Sequence, residues 1–482
     1  MLFNSLQFAI FFVCISCIYY LLPYRYRWIL LLLGSCYFYM AFVPIYILIL
    51  GFTIIIDYFA GLLIEKASGK QRKWFLISSL FANISVLCIF KYYNFLNDNL
   101  SSVLNQFNYD TPFPALKILL PIGLSFHTFQ AMSYTIEIYR GKQPAEKKFG
   151  IYALYVMFYP QLVAGPIERP QNVLHQFYEK HTFKAENISE GLKLIAWGLF
   201  KKVVIADRFA VVVDKVYNDP RHFEGWPLIF STLLFSFQIY CDFSGYSDIA
   251  LGTARVIGFR LMKNFNSPYF STSISEFWKR WHISLSTWFR DYLYIPLGGN
   301  RVASERRYFN LFITFLISGL WHGANWTYVI WGSLNGIYII GENSTKNFFN
   351  KLYLSTNFFS KNRKAIGLIS TFTLTCFAWI FFRAKTIQDA FYIVEHLFSN
   401  LQSSFSQLKP SNLGTTQYDY IIGFLALIIL LCIEGLNSRI SVNMWLKRQN
   451  LMLRVSIYYV LVMFILLFGS FDLQEQFIYF QF

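Results

Sequence analysis

The chain has 482 residues, of which 55% are hydrophobic, 20% aromatic and only 14% charged, against roughly a quarter charged in ordinary soluble domains. This composition excludes a soluble enzyme and requires a lipid solvent around the apolar segments. The net charge of +16, from 42 Lys and Arg against 26 Asp and Glu, fits either a nucleic-acid partner or the basic cytoplasmic loops of a membrane protein, so the placement of the charges decides.

At about 20 apolar residues per crossing, candidate spans fall near 2–22, 28–43, 45–64, 74–90, 117–139, 149–164, 226–250, 308–340, 365–382, 420–436 and 453–471, about eleven in all. No basic stretch precedes the first run and no small-residue cleavage site follows it, so it is expected to stay as a span. The loops sort by charge. Glu65–Lys73 and Arg140–Lys148 each carry four cations and one acid, Lys346–Lys364 five cations and no acid, and Asn437–Arg454 four and none. These four loops are expected on the cytoplasmic side. Lys91–Leu116 has one cation and two acids, and Arg383–Asp419 three of each; both are expected on the far side, with 308–340 running inward. Charge is thereby explained as an orientation signal, and no nucleic acid is needed. The apolar runs are long and continuous, without the ten-residue dyad alternation of a β-barrel, and no repeat or long linker divides them. The reading is one all-α integral membrane domain over 1–482.

Between Gly165 and Arg307 polar groups accumulate at membrane depth. Asp242, Ser244, Tyr246, Ser247 and Asp248 fall inside FQIYCDFSGYSDIALG, and GPIERPQ puts Pro166, Glu168, Arg169 and Pro170 just past an apolar run. Irregular backbone in a bilayer is tolerated only where protein or a wet cavity satisfies it, which predicts a central cavity or re-entrant region. Asp242 and Asp248 either serve that cavity or pair with Arg255 or Arg260 as structure. The stretch ISEFWKRWHISLSTWFRDYLYIPLGGNR carries Trp278, Trp281 and Trp288 among charges. It predicts an amphipathic helix lying at the interface, which brings His282 to the cavity edge before Pro296, Gly298 and Gly299 turn the chain.

The next stretch, NLFITFLISGLWHGANWTYVIWGSLNGIYII, holds one histidine, His322, near its middle. Imidazole titrates near pH 6.5 and is suited to general-base work, unless burial holds it idle. Gly319 and Gly323 flank it and allow a substrate or another backbone to come close. Asn325 lies three residues on, where its amide can orient the ring or a bound carbonyl. His127 reads as structural, and His175, His181, His222 and His396 as solvated. Cys14 and Cys17 form C-x-x-C inside an apolar run, and all seven cysteines read as small hydrophobes. No nucleophile elbow, Walker A sequence, H-E-x-x-H or dinucleotide fingerprint is present, and His282 and His322 lack the Cys or carboxylates that would complete a metal site. No metal is expected.

The segments KRWHISLSTWFRDYLYIPLGGNR and ISGLWHGANWTYVIWG resemble the signature region of the membrane-bound O-acyltransferase family. LLPIGLSFHTFQAMSYTIEIYRG, FYPQLVAGPIERP, WGLFKKVVIADR, YCDFSGYSDIALG and the terminal FIYFQF are similar to its bacterial branch, the alginate O-acetyltransferase membrane-subunit type. The likeness covers nearly the whole chain and is densest over 117–340, taken as the catalytic core. It implies a bowl or ring of transmembrane helices, with re-entrant or interfacial helices, around a central tunnel. It implies His322 as the catalytic histidine and His282 as the second site position, with Asn325, Trp321 and Trp281 as candidates for contact with the donor. The implied donor is cytoplasmic acetyl-CoA. The implied acceptor is an extracytoplasmic polysaccharide, such as alginate, peptidoglycan or another exopolysaccharide, reached directly or through a periplasmic acetyltransferase partner from the bacterial inner membrane. The rival class is a polysaccharide or lipid-linked sugar transporter, which would also carry many spans and midplane polar groups but often shows repeated halves.

Overall fold

A computed structural model describes residues 1–109, 113–116, 121–163, 165–355, 357–437, 440–471 and 477–478. Residues 117–120 of one expected span and 479–482 of the terminal motif lie outside these. Among the described residues every regular element is helical and none is a strand. Among the described residues six helices are long and apolar enough to cross a membrane: Tyr46–Lys66, Gly69–Asn105, Trp226–Val256, Phe359–Arg383, Gln417–Asn437 and Leu451–Phe468. Other expected spans form shorter helices, Leu6–Leu21 with 16 residues, Tyr24–Met40 with 17 and Leu124–Tyr139 with 16. The expected span 149–164 is broken into Phe149–Met157 and Tyr159–Leu162. The backbone leaves the helix at Phe158, ψ 111°, just ahead of Pro160, whose ring disfavours helical backbone in the residues before it and removes a donor.

The chain divides into two compact units, 1–195 with 250–262 and 196–249 with 263–482. In the first, helices Tyr46–Lys66, Gly69–Leu87 and Leu124–Tyr139 pack on one another, and Tyr24–Met40 packs on Phe149–Met157. The segment after Pro166 is tied to 255–262 by polar contacts: Gln176 Nε2 donates to the Arg260 carbonyl at 2.9 Å, and Arg260 N–H returns to Gln176 Oε1 at 2.8 Å. Arg255 pairs with Glu190 at 2.7 Å. His181, expected in solvent, is half-buried; its ring lies 4.5 Å from Phe259, and Nε2 is 2.9 Å from the Gln176 carbonyl.

In the second unit several expectations are corrected. The polar residues from Asp242 to Asp248 do not interrupt their helix, because Trp226–Val256 is continuous through them. Their partners are Lys201 and Lys202 of the π-helix Phe200–Ala206, not Arg255 or Arg260: Lys202 lies 2.7 Å from both Asp207 and Asp242, and Lys201 lies 2.6 Å from Asp248. Side-chain cations satisfy the carboxylates, so the helix keeps its backbone bonds. Packing is close there, since a Cβ on Gly198 would fall 2.5 Å from the Gly245 carbonyl oxygen.

The stretch expected to run inward once over 308–340 instead folds back as two helices, Ser304–His322 and Trp326–Ser355. They are antiparallel: a Cβ on Gly319 would meet the Gly332 Cα at 3.1 Å, while one on Gly336 would meet the Phe312 Cα at 3.2 Å. Gly319 therefore serves the approach of another backbone, whereas a Cβ on Gly323 would meet the Tyr328 ring at 2.1 Å. The single interfacial helix expected around His282 is likewise two short helices, Ile274–Arg280 and Ile283–Phe289. Trp278, Trp281 and Trp288 are buried at 8%, 1% and 6% exposure, so they are core residues rather than lipid-facing anchors.

Candidate active site

His282 stands at the break between those two helices with φ 42° and ψ 55°, a left-handed conformation that a non-glycine residue adopts at a cost. The loop from Asn264 to Asn266 holds it there: Ile283 N–H donates to the Asn264 carbonyl at 2.9 Å, and Asn266 N–H to the Arg280 carbonyl at 2.9 Å. Asn264 Oδ1 accepts from Ser284 N–H at 3.2 Å and Ser284 Oγ at 2.9 Å, and lies 3.1 Å from His282 Nδ1. A backbone N–H can only donate, so the Asn264 atom facing it is the oxygen. Nδ1 of His282 must then carry the hydrogen, which leaves Nε2 as the basic nitrogen of the neutral ring. Phe243 packs edge-on against the imidazole at 4.6 Å, and the buried Phe477 ring lies 5.6 Å from Phe243.

His322 is the last residue of Ser304–His322 and is 4% exposed. Three rings enclose it, Trp331 at 4.9 Å, Trp321 at 5.0 Å and Phe382 at 5.3 Å, all steeply inclined to its plane. Trp321 also lies 6.4 Å from the His282 ring. The structure thus brings His282, Trp321 and His322 into one aromatic cluster. Trp281 joins it more remotely, 5.1 Å from Trp379, which stacks on Trp331 at 5.9 Å. Asn325 has a different employment. Its Nδ2 donates to the Lys385 carbonyl at 3.0 Å, and its Oδ1 accepts Thr327 N–H at 3.0 Å. It caps the start of Trp326–Ser355 and fixes the hairpin turn.

A cavity of about 690 Å³ opens in the same unit, lined among others by Trp278, Lys279, Arg290, Arg307, Phe315 and Ser318. That is within the common range for ligand sites, about 300–1,000 Å³. Residues 307, 311, 314, 315 and 318 all line it, and they recur at the spacing of one helical face. The next turn of that face carries His322, about 6 Å beyond Ser318 and about 22 Å beyond Arg307 at 1.5 Å per residue. The lining joins the cations Lys279, Arg290 and Arg307 to the rings of Trp278, Phe289 and Phe315, which suits a long ligand with an anionic head and an apolar tip. Sequence reading overlooked Asn264, Trp331 and Phe382, took Trp278 for an interfacial anchor, and expected a cavity without assigning this lining to it. The periodic face ending on His322 was the available signal for the cavity; Asn264 and Phe382 approach only through tertiary folding.

The chain matches the family model for MBOAT, membrane-bound O-acyltransferase family, over residues 148–387, which include both histidines. It is 40% identical to the probable alginate O-acetylase AlgI of Pseudomonas aeruginosa over 410 residues, 84% of this chain and 76% of that protein. It is 33% identical to the peptidoglycan O-acetyltransferase of Helicobacter pylori over 497 residues, covering 94% and 91%. With the teichoic acid D-alanyltransferase of Bacillus subtilis it shares 27% identity over 289 residues, covering 56% and 71%. Taken with the apolar helices, these matches establish that the chain is a multi-pass membrane O-acyltransferase belonging to the membrane-bound O-acyltransferase family.

Proposed function

We propose that the protein moves an acetyl group from cytoplasmic acetyl-CoA to a hydroxyl of an extracytoplasmic polysaccharide, directly or through a periplasmic acetyltransferase partner. The observation that carries this reading is the cavity whose wall is one face of Ser304–His322, cationic at Arg307 and leading toward His322. Both outer ends of the helical hairpin adjoin basic segments, Arg301 to Arg307 and Lys346 to Lys364, and basic loops favour the cytoplasmic face. The donor therefore enters where its phosphates meet Arg290, Arg307 and Lys279, and its thioester points toward the hairpin turn. The relatives named for alginate and peptidoglycan acetylation supply the acceptor class. The same reading assigns the protein to the bacterial inner membrane, with about eleven crossings, some made by helices shorter than the six long ones.

In this mechanism His322 removes the hydroxyl proton as the oxygen attacks the thioester carbonyl. A C–O bond forms, the C–S bond breaks, and the imidazolium returns its proton to the departing thiolate. His282, with Nε2 free of the Asn264 contact, assists by orienting the acceptor or steadying the developing charge, and the Trp321 indole lies by both rings. Holding donor and acceptor at one point removes up to about 7–11 kcal/mol of entropic and solvent cost in favourable cases. The test is His322→Ala in membranes supplied with labelled acetyl-CoA. Acetylation of the envelope polymer is expected to vanish while the protein still inserts, and His282→Ala should fall severely. Normal acetylation in His322→Ala would overturn the assignment, and a wild type that releases no CoA would overturn the donor.

A further inference from the structure

The cavity does not end on the imidazole. Its lining includes Trp278, Phe315 and Ser318. The Trp278 ring lies 5.3 Å from Phe315 and 5.8 Å from Trp331, inclined steeply to both, and Trp331 lies 4.9 Å from His322. Trp278 thus faces the cavity on one side and the wall around His322 on the other. That wall is stiff: Trp331 is backed by Trp379, stacked on it at 18°, and by Phe382 at 5.2 Å. No hydrogen bond pins Trp278 among the described residues, because its buried indole N–H has no partner. Packing alone holds the ring, so a ligand can meet it without breaking a polar contact.

We propose that Trp278 is the acyl-size determinant of the enzyme, the ring against which the end of a two-carbon acyl group stops and which a longer chain would have to displace. This rests on the acyl-CoA reading above. Trp278 lines the cavity and its ring lies 5.8 Å from Trp331, the ring 4.9 Å from the imidazole, so Trp278 joins the cavity lining to the wall of His322 and an acyl group brought toward His322 from the cavity meets it on the way. Cores close-packed in this way do not open for added methylenes without cost. Truncating Trp278 adds volume continuous with the cavity, where each further methylene can gain about 10-fold or more in kcat/KM.

The experiment compares acetyl-, propionyl-, butyryl- and hexanoyl-CoA as donors, using the full chain in inverted membrane vesicles and reading both released CoA and ester-linked acyl groups on the envelope polymer. Wild type should favour acetyl. In Trp278→Ala the butyryl-to-acetyl ratio of kcat/KM should rise by about 10-fold or more, with a smaller rise in Trp278→Phe, which keeps an aromatic ring and guards against loss of folding. An unchanged ratio in an active variant, or an equal fall for all four donors in both variants, would make Trp278 purely structural and overturn the proposal. If wild type used none of the four donors, the donor reading itself would fall and take the proposal with it. Wild-type use of acetyl-CoA with an unaltered variant profile sinks the Trp278 assignment alone.

Discussion

Two buried carboxylate clusters, one in each unit, are compensated in opposite ways. In the second unit Asp242 lies 2.7 Å from Lys202 and accepts Ile478 N–H at 2.7 Å, while Lys201 spans Asp248 at 2.6 Å and Ser244 at 2.9 Å. In the first unit Asp57 is fully buried on Tyr46–Lys66 and accepts only from neutral donors, Ser79 Oγ at 2.6 Å and Asn83 Nδ2 at 2.9 Å. Among the described residues no cation pairs with it. The difference follows position. Asp242 precedes Phe243, the ring packed on His282, and opposite charges accept only one register where neutral hydrogen bonds tolerate adjustment. Ion pairs are poor sources of net stability but can specify an arrangement, and here they register the π-helix Phe200–Ala206 on the helix that supports the site.

The comparison breaks most visibly at Lys202. Lys202→Met keeps the volume but leaves Asp207 and Asp242 buried with their shared cation gone, and removing one partner of a buried ion pair costs about 3–5 kcal/mol. We expect a sharp drop in melting temperature and in monodisperse protein from detergent. A melting temperature equal to wild type would show that the charges are not held as a buried pair.

Much of this was legible in the chain itself, and the omissions have physical causes. The long apolar helices were evident because a 20-residue apolar run has one solution in lipid, a helix that bonds its own backbone. His322 was legible as a lone imidazole in an apolar run. The hairpin at Gly323 was not, since hydropathy sees a continuous stretch whereas the turn depends on Asn325 capping the next helix and on Gly319 letting Gly332 approach. Asp242 and Asp248 were legible as costly, but their partners lie some forty residues away on another helix. The Arg residues nearer in sequence were therefore the wrong guess. The break at His282 was hidden because left-handed backbone at a histidine has no composition signal; Asn264 creates it from eighteen residues upstream.

A second way to sharpen the comparison uses Glu168 of the first unit, just beyond the broken 149–164 segment. It is 0% exposed and accepts from Asn172 Nδ2 at 3.1 Å and from Met262 N–H. Burial pushes its carboxyl up to about 7 from 4.5, against the opposing pull of the Met262 N–H, the Asn172 amide and the Arg169 charge. An acid whose folded pKa is raised holds its proton in the folded state after the unfolded chain has released it. Its contribution is therefore fully present below about pH 4.5 and is lost as pH climbs to about 7, a change of about 3 kcal/mol. The melting temperature of wild type should fall over that interval, and Glu168→Gln, neutral at every pH, should flatten that part of the slope. Equal slopes for the two proteins would mean that the fold does not hold the proton on Glu168 over that interval.

The smallest effect is expected at Asp57, where the comparison is most direct. Asp57→Asn removes an ionisable group from the first unit as Lys202→Met does from the second, yet no partner ion is stranded. The new amide keeps Oδ1 as acceptor for Ser79, and its NH₂ group faces Asn83, whose own Oδ1 is buried without a partner among the described residues and can turn to accept it. The change should stay within about 1 kcal/mol. Asp57→Leu, by contrast, takes the carboxylate acceptor from Ser79 Oγ and Asn83 Nδ2, which keep only Thr135 Oγ1 at 3.2 Å and the Ser79 carbonyl at 3.0 Å, and should cost about 1–3 kcal/mol. Thermal unfolding of both variants in detergent decides the matter. A collapse of Asp57→Asn comparable to that of Lys202→Met would mean that this carboxylate is charged and balanced, and the contrast between the two units would disappear.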